Sequence, residues 1–130
     1  DGLQGNQNYN TGRWLGFLKD MDLTIDLQKS TPVSSVSLTV NVSKGAAVMD
    51  ATGLEVWCSE DGKEYRKLAS ASYPVLDKED KDGIYPHTLS FSVVETRYVR
   101  IIARVTPKLP AWHMWPGNPA FLFVDEVCVK

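Results

Sequence analysis

Hydrophobic and polar residues alternate along most of this chain with the two-residue period of a half-buried strand. In "MDLTIDL", Leu23, Ile25 and Leu27 fall on one face and Asp22, Thr24 and Asp26 on the other. "SSVSLTVNV" places Val36, Leu38, Val40 and Val42 inward, and "LEVWCS" does the same with Leu54, Val56 and Cys58, leaving Trp57 opposite. "HTLSFSV" groups Leu89, Phe91 and Val93. "RYVRIIARV" sets Val99, Ile101, Ala103 and Val105 against Tyr98, Arg100 and Arg104. "FLFVDEVCV" begins as a nearly continuous apolar run, as a strand covered on both faces would. No segment holds a helical period over ten or more residues.

Turn chemistry separates these runs. Asp61-Gly62 in "SEDGKEY" predicts a hairpin. "DKEDKDG" reads as a charged, solvated loop, and "TPKLPAWHMWPGNP" as a long proline-broken connection. The opening "DGLQGNQNYNTG", rich in glycine and asparagine, reads as a loop rather than a strand or helix. Many short strands with turns between them predict an all-β domain, a two-sheet sandwich or a barrel.

Composition narrows what such a domain does. The 130 residues suit one domain, 1–130, able to bury a core without a metal or disulfide. The net charge of −2 and the lack of a lysine or arginine stripe argue against a nucleic-acid partner. No apolar run approaches the roughly 20 residues of a membrane span, so membrane insertion is not expected. The chain opens on Asp1 rather than methionine, which reads as a mature fragment or an excised domain. Cys58 and Cys128 both lie in apolar strand-like runs and read as small core residues; whether they bridge is a question of geometry.

Catalytic signatures are missing. Asp125 and Glu126 are adjacent in a predicted strand, whose successive side chains face opposite ways, so they do not serve as an acid–nucleophile pair around one bond. His87 and His113 lie far apart, and no nucleophile elbow, zinc-protease helix or phosphate loop occurs. The aromatics point elsewhere. Trp14, in "GRWLGF", and Trp57 fit core packing or strand cover. Trp112 and Trp115 sit in the proline-broken loop, where an indole offers a flat apolar face with a donor at its edge. Such faces stack on pyranose rings, while His113, Asn118 and Arg13 could read hydroxyl groups; the bland alternative is that both rings seal the end of the sandwich. One carboxylate of "VDEV" should point into an apolar interior and needs a partner, either an arginine such as Arg13 or a hard cation such as calcium.

In order, "DGLQGNQNYNTGRWLGF", "MDLTIDL", "LEVWCSEDGKEYRKL", "TRYVRIIA" and "AWHMWPGNPAFLFVDEVCV" resemble the discoidin-like domain, also called the coagulation factor five/eight type C domain. The resemblance covers essentially the whole chain. More narrowly, "GRWLGF" and the "WH…FLFVDE" ending resemble the copy appended to secreted family 20 β-N-acetylhexosaminidases, or chitobiases. It implies a galactose-binding-domain-like jelly-roll β-sandwich, with about eight antiparallel strands in two sheets. It also implies a non-catalytic carbohydrate-binding module, secreted, periplasmic or cell-surface, covalently linked to a glycosidase catalytic domain. The implied ligand is an N-acetylhexosamine- or galactose-type glycan, held at end loops by Trp112, His113 and Trp115, with Tyr9, Arg13 and Asn118 nearby. Relatives hold a structural calcium between the opening loop and a late acid, which maps to Glu126; Asp1 is the only carboxylate in that loop. The alternative is a structural module that binds no sugar and docks on its catalytic domain through Trp112, Trp115 and Tyr85.

Overall fold

The computed structural model describes residues 9–10, 15–17 and 20–130. Among the described residues seven strands follow one another: β1 (Tyr9–Asn10), β2 (Leu15–Phe17), β3 (Met21–Val42), β4 (Gly53–Ser59), β5 (Arg66–Ser72), β6 (Gly83–Arg104) and β7 (Leu122–Val129). The described residues contain no α-helix, only a 3-10 turn at Lys44–Ala46. All pairings between strands are antiparallel, in the order β1-β7-β3-β6-β4-β5, with β2 also on β7.

The two 22-residue strands β3 and β6 build the sandwich. Each merges two runs that the alternation separates, "MDLTIDL" with "SSVSLTVNV" and "HTLSFSV" with "RYVRIIARV". Register breaks between Asp26 and Thr31 and between Val33 and Ser35 divide their ladder into halves. The first half of β3 pairs with the second half of β6, which carries β4 and then β5. The second half of β3 pairs with the first half of β6 and, on its other edge, with β7. The two expected sheets are therefore halves of one continuous ladder, because strands that change sheet do so at bends and bulges without ending. At the bend Gln28 adopts φ 74, a conformation L-residues rarely take. Its N–H donates to Asp26 Oδ1 at 2.7 Å, an Asx turn that fixes the bend without glycine.

Alternation translates into burial. Ile25, Leu27, Val36, Leu38, Val40, Val42, Leu54, Val56, Val99, Ile101 and Ala103 are all buried in one apolar cluster fed by both halves. Each such valine, leucine or isoleucine contributes about 1.5–3 kcal/mol. Outward positions form cross-strand ion pairs: Arg97 with Asp26, Arg100 with Asp22, and Arg104 with both Asp20 and Glu55. Trp57 covers this outer face, with Lys67 over its ring and its Nε1–H donating to Glu55.

Three expectations change. Val93 does not join Leu89 in the core; it is 68% exposed, because the ladder loses register across this stretch of β6. Tyr9–Asn10, within the expected opening loop, form β1 against Val129 and Cys128, since a sheet edge satisfies their backbone groups. The plain alternation expected of β7 also breaks, between Asp125 and Cys128; the side chains of Asp125 and Glu126 themselves lie outside the described residues. Ser37 pairs with Cys128 but Thr39 with Asp125, so Leu38 alone faces Glu126 and Val127. Val124 and Val127 are both fully buried, which alternation forbids and a bulge allows. Cys58 and Cys128 are both free thiols. Asp1, Arg13 and Trp14 lie outside the described residues.

Candidate functional site

Three connections meet at one end of the sandwich: 43–52 after β3, 73–82 after β5, and 105–121 after β6. Each is cut from a different part of the chain, and they are tied together around Lys44. The Lys44 N–H and its ammonium both donate to Asp82 Oδ1 at 3.0 Å, and the ammonium also donates to the Asp80 carbonyl. The paired cation holds the Asp82 carboxyl below its ordinary value of 3.8, chiefly through the backbone and side-chain donors of Lys44. Ladder-like bonds join the third segment, 105–121, to 43–52: Phe121 N–H to the Ala47 carbonyl at 2.8 Å, and Met49 N–H to the Phe121 carbonyl at 3.0 Å.

The aromatic loop is itself cross-tied. Leu109 N–H donates to the Asn118 carbonyl at 2.8 Å, Gly117 N–H to the Leu109 carbonyl at 3.0 Å, and His113 N–H to the Pro110 carbonyl at 3.0 Å. Gly117 takes φ +82, where a side chain would strain the turn. His113 is only 6% exposed, and both ring nitrogens are engaged. Nε2 lies 2.6 Å from the Lys44 carbonyl, and Nδ1 lies 3.0 Å from the Trp115 N–H. A carbonyl only accepts and an N–H only donates, so the Nε2–H tautomer satisfies both. His113 is a strut between loops, with no ring nitrogen left for a ligand.

This scaffold shapes a shallow cleft of about 270 Å³ lined by Lys44, Gly45, Lys78, Trp112, His113 and Met114. Trp112 is half-buried, packed on the core while lining the cleft. Met114 is exposed and adds a soft apolar wall. Lys44 is neutralised by Asp82, whereas Lys78 has no ion pair among the described residues. An apolar ring face beside a few polar groups suits a ligand that is itself amphipathic.

The other predicted residues are placed variously. Trp115 is 47% exposed and packs near the His113 ring, but it does not line the cleft. Asn118 is exposed, and its backbone closes the loop. Tyr9 pairs with Val129 at the far end of β7, eight residues from Phe121, the last residue of the connection that carries Trp112, or on the order of 25 Å along a strand. The structure does not bring Tyr9 to the cleft. Glu126 lies mid-β7, and the register puts the opening segment on both sides of it: Asn10 pairs with Cys128 and Leu15 with Val124. Among the described residues no three His, Cys, Asp or Glu side chains gather as metal ligands; the side chain of Glu126 and all of Asp1 lie outside that description.

Behind the cleft segment sits a pair the sequence did not reveal. His87 Nε2–H donates to Asp50 Oδ1 at 2.7 Å, and the His87 ring stacks on Tyr73 with centroids 4.1 Å apart. Asp50 is 5% exposed and also accepts from the Ala51 N–H. Burial and the Asp50 charge push the Tyr73 hydroxyl above its ordinary value of 10.0. Raising that value holds the proton on, the opposite of what a phenol acting as base or nucleophile requires. The cluster locks the 43–52 segment to β6.

An antiparallel β-sandwich that gathers an aromatic cleft at its end loops defines a class of modules whose fold is a platform for loop-borne recognition. The chain belongs to the F5/8 type C domain family, whose model matches residues 2–125. No curated protein sequence matches it. Solved structures share its fold. CpGH89CBM32-5 from Clostridium perfringens, in complex with GalNAc-β-1,3-galactose, is 19% identical with a TM-score of 0.55, covering 98% of this chain and 79% of that one. CBM32-1 from a family 31 glycoside hydrolase of Clostridium perfringens is 18% identical, TM-score 0.54, covering 99% and 82%. Chitosan-binding module 1 from a chitosanase/glucanase of Paenibacillus sp. IK-5 is 16% identical, TM-score 0.54, covering 98% and 78%.

Proposed function

We propose that this chain is a non-catalytic carbohydrate-binding module that holds a glycan in the cleft of Trp112, Met114, Lys44 and Lys78. The observation that carries this reading is Trp112 itself: an indole seated on the core that lines an open cleft, with Lys78 among the other residues of its lining. A sugar ring presents C–H groups to the indole and hydroxyls to the lysine. Structures of the same fold include modules that carry GalNAc-β-1,3-galactose or are named for chitosan, which supports an N-acetylhexosamine- or galactose-type glycan. The module acts as an accessory to a covalently linked glycosidase catalytic domain of the hexosaminidase type, outside the cell or at its surface. There, weak binding gains value by raising effective concentration. A structural calcium at Glu126, with Asp1 of the opening loop, belongs to the same proposal; chelation would then lower the melting temperature.

The docking alternative has less behind it. Trp112 and Tyr85 are half-buried against the core, and Tyr85 donates its hydroxyl to the Lys81 carbonyl, so only Trp115 of the three stands out. The test is calorimetric titration with chito-oligosaccharides and with GalNAc-β-1,3-galactose. Wild-type binding to one series, lowered at least tenfold by Trp112→Ala with the fold intact by circular dichroism, is the expected result. Binding that is unchanged by the substitution would refute the cleft.

A further inference from the structure

We propose that Trp115 is a second stacking platform, outside the cleft and held in register with it, so that the ligand is an oligosaccharide of at least two sugar units. This rests on the cleft reading and extends it. The two tryptophans flank one histidine in sequence and share it in space. The Trp112 and His113 ring centroids are 5.8 Å apart with planes at 46°, and those of His113 and Trp115 are 5.6 Å apart at 44°. The two indoles are therefore no further apart than those separations laid end to end, within reach of a few linked pyranose rings. Only Trp112 lines the cleft; Trp115 keeps nearly half its surface open beside it.

The backbone that carries the second indole is held firmly. The Trp115 N–H donates to His113 Nδ1, and His113 Nε2–H donates to the Lys44 carbonyl, which belongs to the cleft wall. Trp115 is thus joined to the cleft through a single imidazole. The Trp115 carbonyl accepts from Asn118 N–H at 3.3 Å, and Pro116, Gly117 and Pro119 lie beside it in the chain. Ordering cost is smaller for a ligand that meets a ring carried on a backbone already tied in place. A large apolar face held open on a cross-tied loop serves contact with something outside the chain, and a neighbouring sugar of the glycan already in the cleft is the nearest candidate.

The experiment compares wild type, Trp115→Ala, Trp115→Phe and Trp112→Ala by calorimetry. The probes are chito-oligosaccharides of one to four units, and galactose against GalNAc-β-1,3-galactose. Wild-type affinity should rise about tenfold from the single sugar to the longer ligands, the worth of one aromatic stack. Trp115→Ala should abolish that rise and leave single-sugar affinity within about twofold. Trp115→Phe should retain part of it, whereas Trp112→Ala should weaken every length. Wild-type binding with no dependence on length, or a rise that survives Trp115→Ala, overturns the second platform alone. Equal loss at every length in Trp115→Ala also overturns it, since the residue would then act only by shaping the cleft. No wild-type binding to either series overturns the cleft reading, and this one with it.

Discussion

The turn between β4 and β5 and the loop end carrying the cleft are both held by polar side chains, but over very different spans of chain. In the turn, the bonds made by the Ser59 and Asp61 side chains are all local. Ser59 Oγ accepts from Gly62 N–H at 2.9 Å, and Asp61 Oδ1 accepts from Lys63 and Glu64 N–H at 2.8 and 3.1 Å. At the loop end, Lys44 reaches Asp82 across 38 positions, His113 reaches Lys44 across 69, and His87 reaches Asp50 across 37. A turn built from its own neighbours forms wherever its sequence is placed. A cleft built from distant loops exists only when the whole sandwich is closed, so its geometry and its stability are one property.

The sharpest way to break this contrast is to remove one distant tie. Asp50→Ala leaves His87 and the Ala51 N–H without their acceptor in a buried site, and should cost about 3 kcal/mol in urea denaturation. Because Asp50 closes the segment that carries Lys44 and Gly45, glycan affinity at the cleft should fall as well. Loss of stability with undiminished affinity would mean that the cleft does not depend on the buried pair.

Gly62→Ala is the matching cut on the local side. Gly62 holds φ +77, and an added Cβ would lie 3.3 Å from the Tyr98 ring. The left-handed conformation alone costs about 1–2 kcal/mol. The loss should stay in the turn: a lower denaturation midpoint, with cleft affinity equal to wild type. A drop in affinity here would show that the two ends of the sandwich communicate.

The same contrast explains how much is legible without coordinates. The Asp-Gly turn and the strand faces are short-range patterns, and the inward residues of β3, β4 and β6 follow from period alone. The bend at Gln28 is hidden, because it uses an Asx turn where glycine or proline would announce it. Likewise nothing in "VDEV" betrays the bulge that undoes its alternation. The site is half legible. Prolines and indoles mark the loop, and Trp112 does line the cleft. His113 turns out to be a strut rather than a reader of hydroxyls, since its partners, the Lys44 carbonyl and the Trp115 N–H, are backbone groups without a sequence signature. Lys44, Lys78 and Met114 enter the cleft through closure of the fold, and no spacing along the chain foretells it. Tyr9 joins them only through resemblance, whereas its strand register sends it to the other end of β7.

Acid offers the gentlest probe of the two regions, because each relies on one exposed carboxylate. Asp82 is held below its ordinary 3.8 chiefly by the Lys44 N–H and ammonium, and Asp61 chiefly by the Lys63 and Glu64 N–H groups. For a carboxylate with a lowered folded value, the stabilisation is complete above the unfolded value. It is lost as pH falls through the folded one. Both contributions should therefore be constant from neutral pH down to about 4 and fade only below it. Carboxyl carbon shifts monitored by NMR should give midpoints under 3.8 for both residues. The difference should lie in salt dependence and in how far each protonation is felt. The Asp82 midpoint should climb toward its ordinary value in molar salt, because screening weakens an exposed ion pair, while Asp61, held by backbone donors, should move less. Protonating Asp82 should disturb the amide signals of Lys44 and, through the Lys44 carbonyl, of Trp115; protonating Asp61 should disturb only residues 59–64. If both titrations stay equally local, the distant ties at the cleft are no more cooperative than those of a simple turn.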